Sequence, residues 1–520
     1  MRRVTELVLH PFLAAIYPAL ALLGNNINQI RPGNAFRSLA LALVAIVLLL
    51  ILYRFILRDW HRAGMLCSLT AILFFSYGHV YQVIRNSFPF GIALARHRWL
   101  IPLLVTIWLF GLWIVAKRVQ KPRSITRGLN ILLLFLLIVP TFQLVEFGIR
   151  SSRAWSEPAP ELKFSSIQPK ELDFLPDIYY IILDGYGRQD MLAEYYGYDN
   201  SAFLQWLSEA GFVVAQKSQS NYAQTELSLA SSLNMDYLQS LRDDFREDST
   251  DRSMLWPMIS GSAFRRVLEG IGYQIVAFET GFNWTQVEDA DFYITRNTGV
   301  IGEFYAFGQM NAFEALLFQN SAFLIMTDAA IVLPKIFTPD FQAPLRDHRE
   351  RILFVLDKLN ETPTIKSPKF TFVHLVVPHA PFVFAPDDDV ILPKFFTLAD
   401  TEELKDDVSY IAGYINQVEF INHEMQSVLS TILADSTMPP IIILQGDHGP
   451  GRFSASGRMA ILNAYYLPDR PNSLIFEKIS PVNTFRIVLN EYFGADYALL
   501  EDISYFSTYD TPYDFNIISN

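Results

Sequence analysis

Five apolar stretches, at about residues 7–24, 38–57, 64–84, 98–116 and 128–148, crowd the first 150 residues of this chain. Each is close to the ~20 residues that a helix needs to cross a bilayer. Five buried core helices would be an unlikely alternative, because helices of soluble folds are apolar on one face only. Charge sharpens the division. Residues 1–150 carry 16 Lys/Arg against only Glu6, Asp59 and Glu146, a net of +13, which leaves 25 basic against 50 acidic residues, net −25, for the remainder. The 51% of hydrophobic residues and the mean hydropathy of +0.21 follow from a basic membrane-embedded part joined to an acidic, water-facing part. Such an acidic part repels phosphate backbones and is no nucleic-acid binder.

The first stretch lacks a small-residue cleavage site before Asn25-Asn26 and is followed by four more, so it reads as a retained span and not a removed signal. With the N-terminus inside, Arg2, Arg3, Arg58, Arg62 and the dense cluster Lys117, Arg118, Lys121, Arg123 and Arg127 face the cytoplasm. Arg31, Arg37, Arg85, Arg96, Arg98, Arg150 and Arg153 then lie on the other side. About five spans, an odd number, put the rest of the chain outside. The expectation is a multi-pass protein of the cell (inner) membrane whose catalytic domain is extracytoplasmic. Cys67 is the single cysteine, so no intrachain disulfide forms.

Residues 151–176 hold four prolines and read as a linker between a transmembrane domain, 1–150, and a catalytic domain, 177–520. From Asp177 onward, strand patterns at 178–183, 212–216, 273–278, 370–377 and 440–445 alternate with helical ones at 201–210, after Thr225, and at 262–270, 344–359 and 402–433. This alternation predicts a mostly parallel central sheet with helices on both faces. Residues 312–333 approach spanning length, but Glu314, Gln319, Asn320 and Asp328 interrupt them; they read as a helix packed in the domain or resting on the membrane.

In an open α/β sheet, ligands bind at the carboxyl ends of the strands. Three of these strands stop at chemistry-bearing residues: Tyr179–Leu183 at Asp184-Gly185, Phe370–Val377 at Pro378-His379, and Ile441–Leu444 shortly before Asp447-His448-Gly449. A carboxylate beside an imidazole suits Zn2+ or Mn2+. Thr225 stands where a polar loop enters a helix. It serves either as an N-cap or, in the positive field of a helix N-terminus, as a hydroxyl suited to attack an anionic phosphoryl group.

The stretches YYIILDG, SNYAQTELSLASSLN, VVPHAPF and IIILQGDHG together resemble the alkaline-phosphatase superfamily over about residues 177–470. Within it they resemble the sulfatase-like branch that includes lipoteichoic-acid synthases and phosphoethanolamine transferases. The resemblance implies an N-terminal α-helical transmembrane bundle of about five spans followed by an α/β/α alkaline-phosphatase-like domain. It implies that Asp184, Thr225, Asp447 and His448 hold one divalent metal, Mn2+ or Zn2+, with Mg2+ or Ca2+ as alternatives. Thr225 would be the nucleophile and His379 the phosphate-contacting histidine. Trp284 and Arg452 are further candidates for the substrate pocket. His374, five residues before His379 on an extended run, is read as structural.

Two departures from the branch narrow the chemistry. No Cys or Ser stands in the C/S-x-P-x-R setting that formylglycine sulfatases require, and Cys67 lies in an apolar span. Asp184 also lacks a second adjacent Asp, and beyond His379 and Asp387–Asp389 no set for a second metal stands out. The expected function is a metal-dependent, membrane-anchored phosphotransferase or phosphodiesterase acting on envelope lipid or glycan phosphoesters. Its partners are the bilayer and a phospholipid or envelope-glycan substrate. The alternatives are a sulfuric or phosphoric ester hydrolase and an inactive scaffold that keeps the fold.

Overall fold

A computed structural model describes residues 7–27, 30, 32–88, 94–156, 175–243, 245–296, 310–329, 340, 342–385, 408–450 and 454–518. The chain divides into two compact units, Met1–Arg150 with Thr298–Pro344, and Ser151–Asn297 with Leu345–Asn520.

In the first unit five helices stand where the apolar stretches fall: α1 (His10–Asn25), α2 (Phe36–Leu57), α3 (Trp60–Ser87), α4 (His97–Trp113) and α5 (Pro122–Ser156). Among the described residues, four helical segments, Pro32–Leu57, Trp60–Ser87, His97–Arg118 and Pro122–Ser156, are long and apolar enough to cross a membrane. The 16 residues of α1 extend only ~24 Å, short of a hydrocarbon core of ~30 Å. Length and composition therefore single out four spans where the sequence suggested about five. At the two ends of α4, Arg98 lies over Trp99 at 5.3 Å and Arg118 over Trp113 at 4.9 Å, as in the aromatic belts at membrane–water interfaces. The linker's first residues, 151–156, continue α5, and 157–174 lie outside the described residues.

Polar side chains tie these helices at both ends, where apolar surroundings provide little driving force for helix association. At one end the His10 backbone amide donates to Asn130 Oδ1 at 2.8 Å, His10 Nδ1 is 2.6 Å from Ser68 Oγ, and His61 Nδ1 is 3.1 Å from Thr126 Oγ1. At the other, Asn311 and Glu314 form a capping box that starts helix Ala312–Gln319, and Glu314 pairs with Arg37. Phe313 is buried among Leu23, Ile27 and Ile30, near Phe147 of α5. The segment read as one helix over 312–333 is thus two, Ala312–Gln319 and Leu324–Ala329, and both belong to the first unit. Residues 330–333 lie outside the described ones.

The second unit is built on a seven-stranded sheet ordered β2 (Val213–Val214), β7 (Asn463–Tyr466), β6 (Ile441–Gln445), β1 (Ile178–Leu183), β5 (Lys369–Leu375), β3 (Gln274–Phe278) and β4 (Phe292–Ile294). Only β7 runs against the others. All six residues of β1 are buried, because helices cover both faces of the sheet. On one face Tyr179, Ile181 and Leu183 join a core with Leu192, Leu207, Val355 and Val418 from four helices. On the other, Tyr180 meets Phe485 edge-on at 4.9 Å, and Phe485 stacks on Phe264 at 3.9 Å. This is the α/β/α architecture, with a mostly parallel sheet. The helix expected over 402–433 runs to Asp435, and its described part begins at Val408.

Register sets the site. Leu183 pairs with Leu375 and Ile182 with Gln445, so β1, β5 and β6 end level, and Asp184, Val376–His379 and Gly446–His448 leave from one edge. Beside them Glu279, the residue after β3, binds Arg296 at 2.7 Å and Arg351 at 3.0 Å, joining the ends of β3 and β4 to helix Ala343–Leu359.

Burial alone would raise the Glu279 carboxyl, but Thr295, Arg351 and Arg296 bring it down to about 2. A depressed carboxyl stabilises the fold above its unfolded value and ceases to do so as pH falls through its folded value. Glu279→Gln should therefore destabilise the protein at pH 7 by about 1–2 kcal/mol, since solvent screens part of the attraction. The gap between variant and parent should narrow steadily below pH 4.5 in denaturant titrations; a gap independent of pH would contradict this assignment.

Candidate functional site

Asp184 closes β1, and Gly185, at φ +74, turns the chain away at once. That turn aims the Gly185 amide at Asp447 Oδ1, 3.0 Å away, where the His448 amide also donates, at 2.9 Å. With Oδ1 held twice, Asp447 Oδ2 is left buried and has no hydrogen-bond partner among the described residues. Asp184 is built the same way: His374 Nε2 lies 3.2 Å from its Oδ2, and its Oδ1 is buried without a partner. His448 donates from Nδ1 to the Gly449 carbonyl at 3.0 Å, which leaves the lone pair on Nε2. That nitrogen is 3.6 Å from Asp184 Oδ1 and 3.4 Å from Asp447 Oδ2.

Asp184, Asp447 and His448 are 6%, 1% and 2% exposed. Two carboxylates buried so deeply, each with an oxygen facing the other, are costly unless a cation lies between them. Two hard oxygens and a neutral imidazole nitrogen fit a divalent metal such as Zn2+ or Mn2+. Burial and then Arg458 lower the His448 pKa, so the ring stays in the neutral form that a metal ligand requires. For Asp184, burial acts upward, but His379, the His374 hydrogen bond and His448 outweigh it and hold the carboxyl well below the usual range.

Thr225 stands at the first position of helix Thr225–Asn234, where Gln224 is the N-cap residue and no side chain caps the helix. Its hydroxyl is therefore not consumed in capping; Oγ1 lies 3.3 Å from His448 Nε2. The rest of the helix is buried, whereas Thr225 itself remains half-buried. Its neighbours are anchored: Glu226 accepts from Arg252 at 2.6 Å and from Trp256 at 3.2 Å, and the Gln224 amide donates to Ser507 and Thr508. Half-buried His379 donates from Nδ1 to the Ala380 carbonyl at 2.7 Å, and its ring centroid is 6.0 Å from that of His448.

The sheet edge thus gathers Asp184, Thr225, His379, Asp447 and His448. Trp284 packs against Phe282 at 5.1 Å, and its neighbour Thr285 has its Oγ1 3.1 Å from His374 Nδ1. Arg452 and Asp387–Asp389 lie outside the described residues. His374, read as structural because it seemed too far to share a ligand, lies beside the cluster. Ligand atoms of Asp184, His374 and Asp447 lie within 4.8 Å of one another. Separation from His379 along the chain was the wrong measure, because pairing of β1 with β5 sets His374 opposite Ile182, two residues before Asp184. The sequence signal was an imidazole one residue from the end of an otherwise apolar strand end. Arg458 was also missed: its Nη2 is 3.1 Å from His448 Nε2, and its Nε donates to the Ala223 carbonyl at 2.8 Å. Nothing in the local sequence distinguishes it from a surface arginine.

The Sulfatase family model matches residues 176–474. No curated protein matches the chain. Among solved structures, the C-terminal periplasmic domain of EcEptC from Escherichia coli, in complex with Zn, is 12% identical with a TM-score of 0.39, over 66% of this chain and 87% of that one. The lipooligosaccharide phosphoethanolamine transferase EptA from Neisseria meningitidis, an integral membrane protein, is 14% identical with a TM-score of 0.39, over 94% of each chain. The lipoteichoic acid synthase LtaP from Listeria monocytogenes is 13% identical with a TM-score of 0.36, over 62% and 72%.

If His374 holds Asp184 in position, His374→Phe should weaken Zn2+ or Mn2+ binding 10–100-fold in a chelator-competition titration, the usual effect of losing an outer-shell partner. His374→Gln keeps a donor and should recover part of the loss. Parental affinity in the Phe variant would show that Asp184 needs no such support.

Proposed function

The chain belongs to the Sulfatase family, and from that premise we propose that it is a metal-dependent, membrane-anchored phosphotransferase in which Thr225 carries the transferred group. The observation that carries this reading is the Thr225 hydroxyl, free of capping and 3.3 Å from the nitrogen of His448 that faces both orphaned carboxylate oxygens. Formylglycine chemistry is disfavoured, since no Cys or Ser stands in a C/S-x-P-x-R setting and Cys67 is buried in α3.

Asp184, Asp447, His448 and Thr225 would hold one divalent cation, which when bound lowers the pKa of a hydroxyl and offsets charge on phosphoryl oxygens. Thr225 Oγ1 attacks the phosphorus of a phosphodiester. A Thr225–phosphorus bond forms, the bond from phosphorus to the leaving alcohol breaks, and the hydroxyl proton passes to solvent. His379, half-buried at the opening, protonates the leaving oxygen. Arg458 provides a fixed positive charge for the phosphoryl oxygens. An acceptor hydroxyl then attacks the phosphothreonine: its oxygen bonds to phosphorus as the Thr225–phosphorus bond breaks, its proton returns to His379, and Thr225 Oγ1 takes a proton from solvent. A phospholipid donor suits a membrane-anchored enzyme, because its diacylglycerol can remain in the bilayer while the head group moves to an envelope lipid or glycan.

The same reading puts the second unit outside the cytoplasm. It requires α1 to complete a fifth crossing together with residues before His10, and the basic cluster at 117–127 to stay inside.

Incubating the full-length protein with phospholipid vesicles should produce an intact-mass adduct equal to the phosphorylated head group, absent from Thr225→Ala. An adduct on another residue would overturn the nucleophile. For orientation, a Cys67→Ser, Ser430→Cys protein should react in intact spheroplasts with a membrane-impermeant maleimide; labelling only after lysis would place the second unit inside.

A further inference from the structure

Within the first unit, α3 and α4 present two facing stripes, Thr70, Leu73, Phe74 and Tyr77 on one and Ile101, Leu104, Val105 and Trp108 on the other. Both follow the i, i+3, i+4, i+7 spacing of helix seams, which ordinarily pack into each other. Here they meet at one end, Trp108 against Thr70, and otherwise line a groove of about 240 Å³ bordered on a third side by Ala322 and Ile325. From residue 77 down to 70 the groove is ~10 Å long at 1.5 Å per residue.

The third wall is built in. The Ala322 amide donates to the Phe74 carbonyl at 2.7 Å, and Phe323 packs edge-on against Phe74 at 4.8 Å. A Cβ on Gly78 would come within 2.1 Å of the Gln319 carbonyl, so only glycine lets the 319–322 backbone cross α3 at this point. The polar atoms in the lining are engaged elsewhere. Trp108 Nε1 donates to Thr70 Oγ1 at 3.0 Å, Thr70 donates to the Leu66 carbonyl at 2.8 Å, and the Tyr77 hydroxyl bonds His97 Nδ1. The interior therefore presents carbon to an occupant.

At the Tyr77 end the character changes. His97 stacks between Tyr77 and Tyr81, and exposed Arg96 and Arg98 flank it, Arg98 lying one turn before Ile101. A carbon-lined slot between two helices of spanning length that ends at two arginines beside the exposed Trp99 complements a phosphate head on an acyl tail. Lipid tails are as apolar as the slot, so burial from water contributes nothing to selection; shape and the phosphate–arginine contact must. We propose that this groove holds one acyl chain of a phospholipid, with the lipid phosphate at Arg96 and Arg98. The inference stands apart from the transfer chemistry, since none of these residues belongs to the metal cluster.

The test uses the full-length protein in nanodiscs containing a phosphatidylglycerol with a diazirine in its acyl chain. After irradiation, peptides carrying 101–108 and 322–325 should hold most of the label, and Val105→Trp, which fills the slot, should reduce it at least fivefold. Arg96→Gln with Arg98→Gln should reduce it likewise, while a diazirine diacylglycerol lacking phosphate should label these peptides no better than the lipid-facing surfaces of α2 and α5. Label spread evenly over all lipid-facing helices, or unaffected by Val105→Trp, overturns the proposal. Metal affinity measured on the same variants should equal that of the parent. That affinity, with the Thr225 adduct, tests the transfer reading separately from the groove.

Discussion

A buried carboxylate must satisfy both of its oxygens, and at Asp184 and Asp447 the second unit meets that demand only halfway. Asp447 uses one oxygen on two backbone amides and Asp184 uses one on His374, so neither side chain can rotate to relieve the other. The remaining oxygens face His448 Nε2, whose ring is fixed through its other nitrogen. Three donor atoms, each immobilised from behind, define one position for positive charge. This is the outer-shell logic of metal sites, in which the partner of a ligand fixes where the ligand points.

The sheet makes this convergence possible. Asp184, His374 and Asp447 are far apart in the chain, and parallel pairing of β1 with β5 and β6 brings them to one edge without long loops. Loops would hold these atoms less firmly, because backbone outside a ladder has fewer hydrogen bonds to restrain it. Thr225 comes from a helix N-terminus and needs separate support, supplied by the buried pair of Glu226 with Arg252 and the contacts of Gln224 with the 507–508 segment. A buried ion pair of this sort is a poor source of stability but a firm one of position.

Much of this was legible in the sequence because strands buried on both faces are continuous apolar runs that stop abruptly. Ile178–Leu183 and Ile441–Gln445 were readable almost to the residue, and with them Asp184 and Asp447. What stayed hidden depends on pairing across strands. His374 counts as remote along the chain, yet register carries it to Asp184. Arg458 reaches His448 through a return from the short helix Ala455–Met459 that no local pattern announces. The 312–333 segment reads as amphipathic by composition, but its place in the first unit depends on Glu314 meeting Arg37, a pairing between residues remote in sequence.

The arrangement around His448 Nε2 also bears on how the site is kept ready. That nitrogen has one lone pair, and two donors approach it, the Thr225 hydroxyl at 3.3 Å and Arg458 at 3.1 Å. A single lone pair serves two donors poorly, and neither distance is short for such a bond. A cation that takes the lone pair removes the acceptor from both at once. The Thr225 hydroxyl would then turn to the cation, and a bound cation lowers the pKa of a hydroxyl it holds. His448 would in this way couple the state of the ion site to the hydrogen bonding of both Thr225 and Arg458.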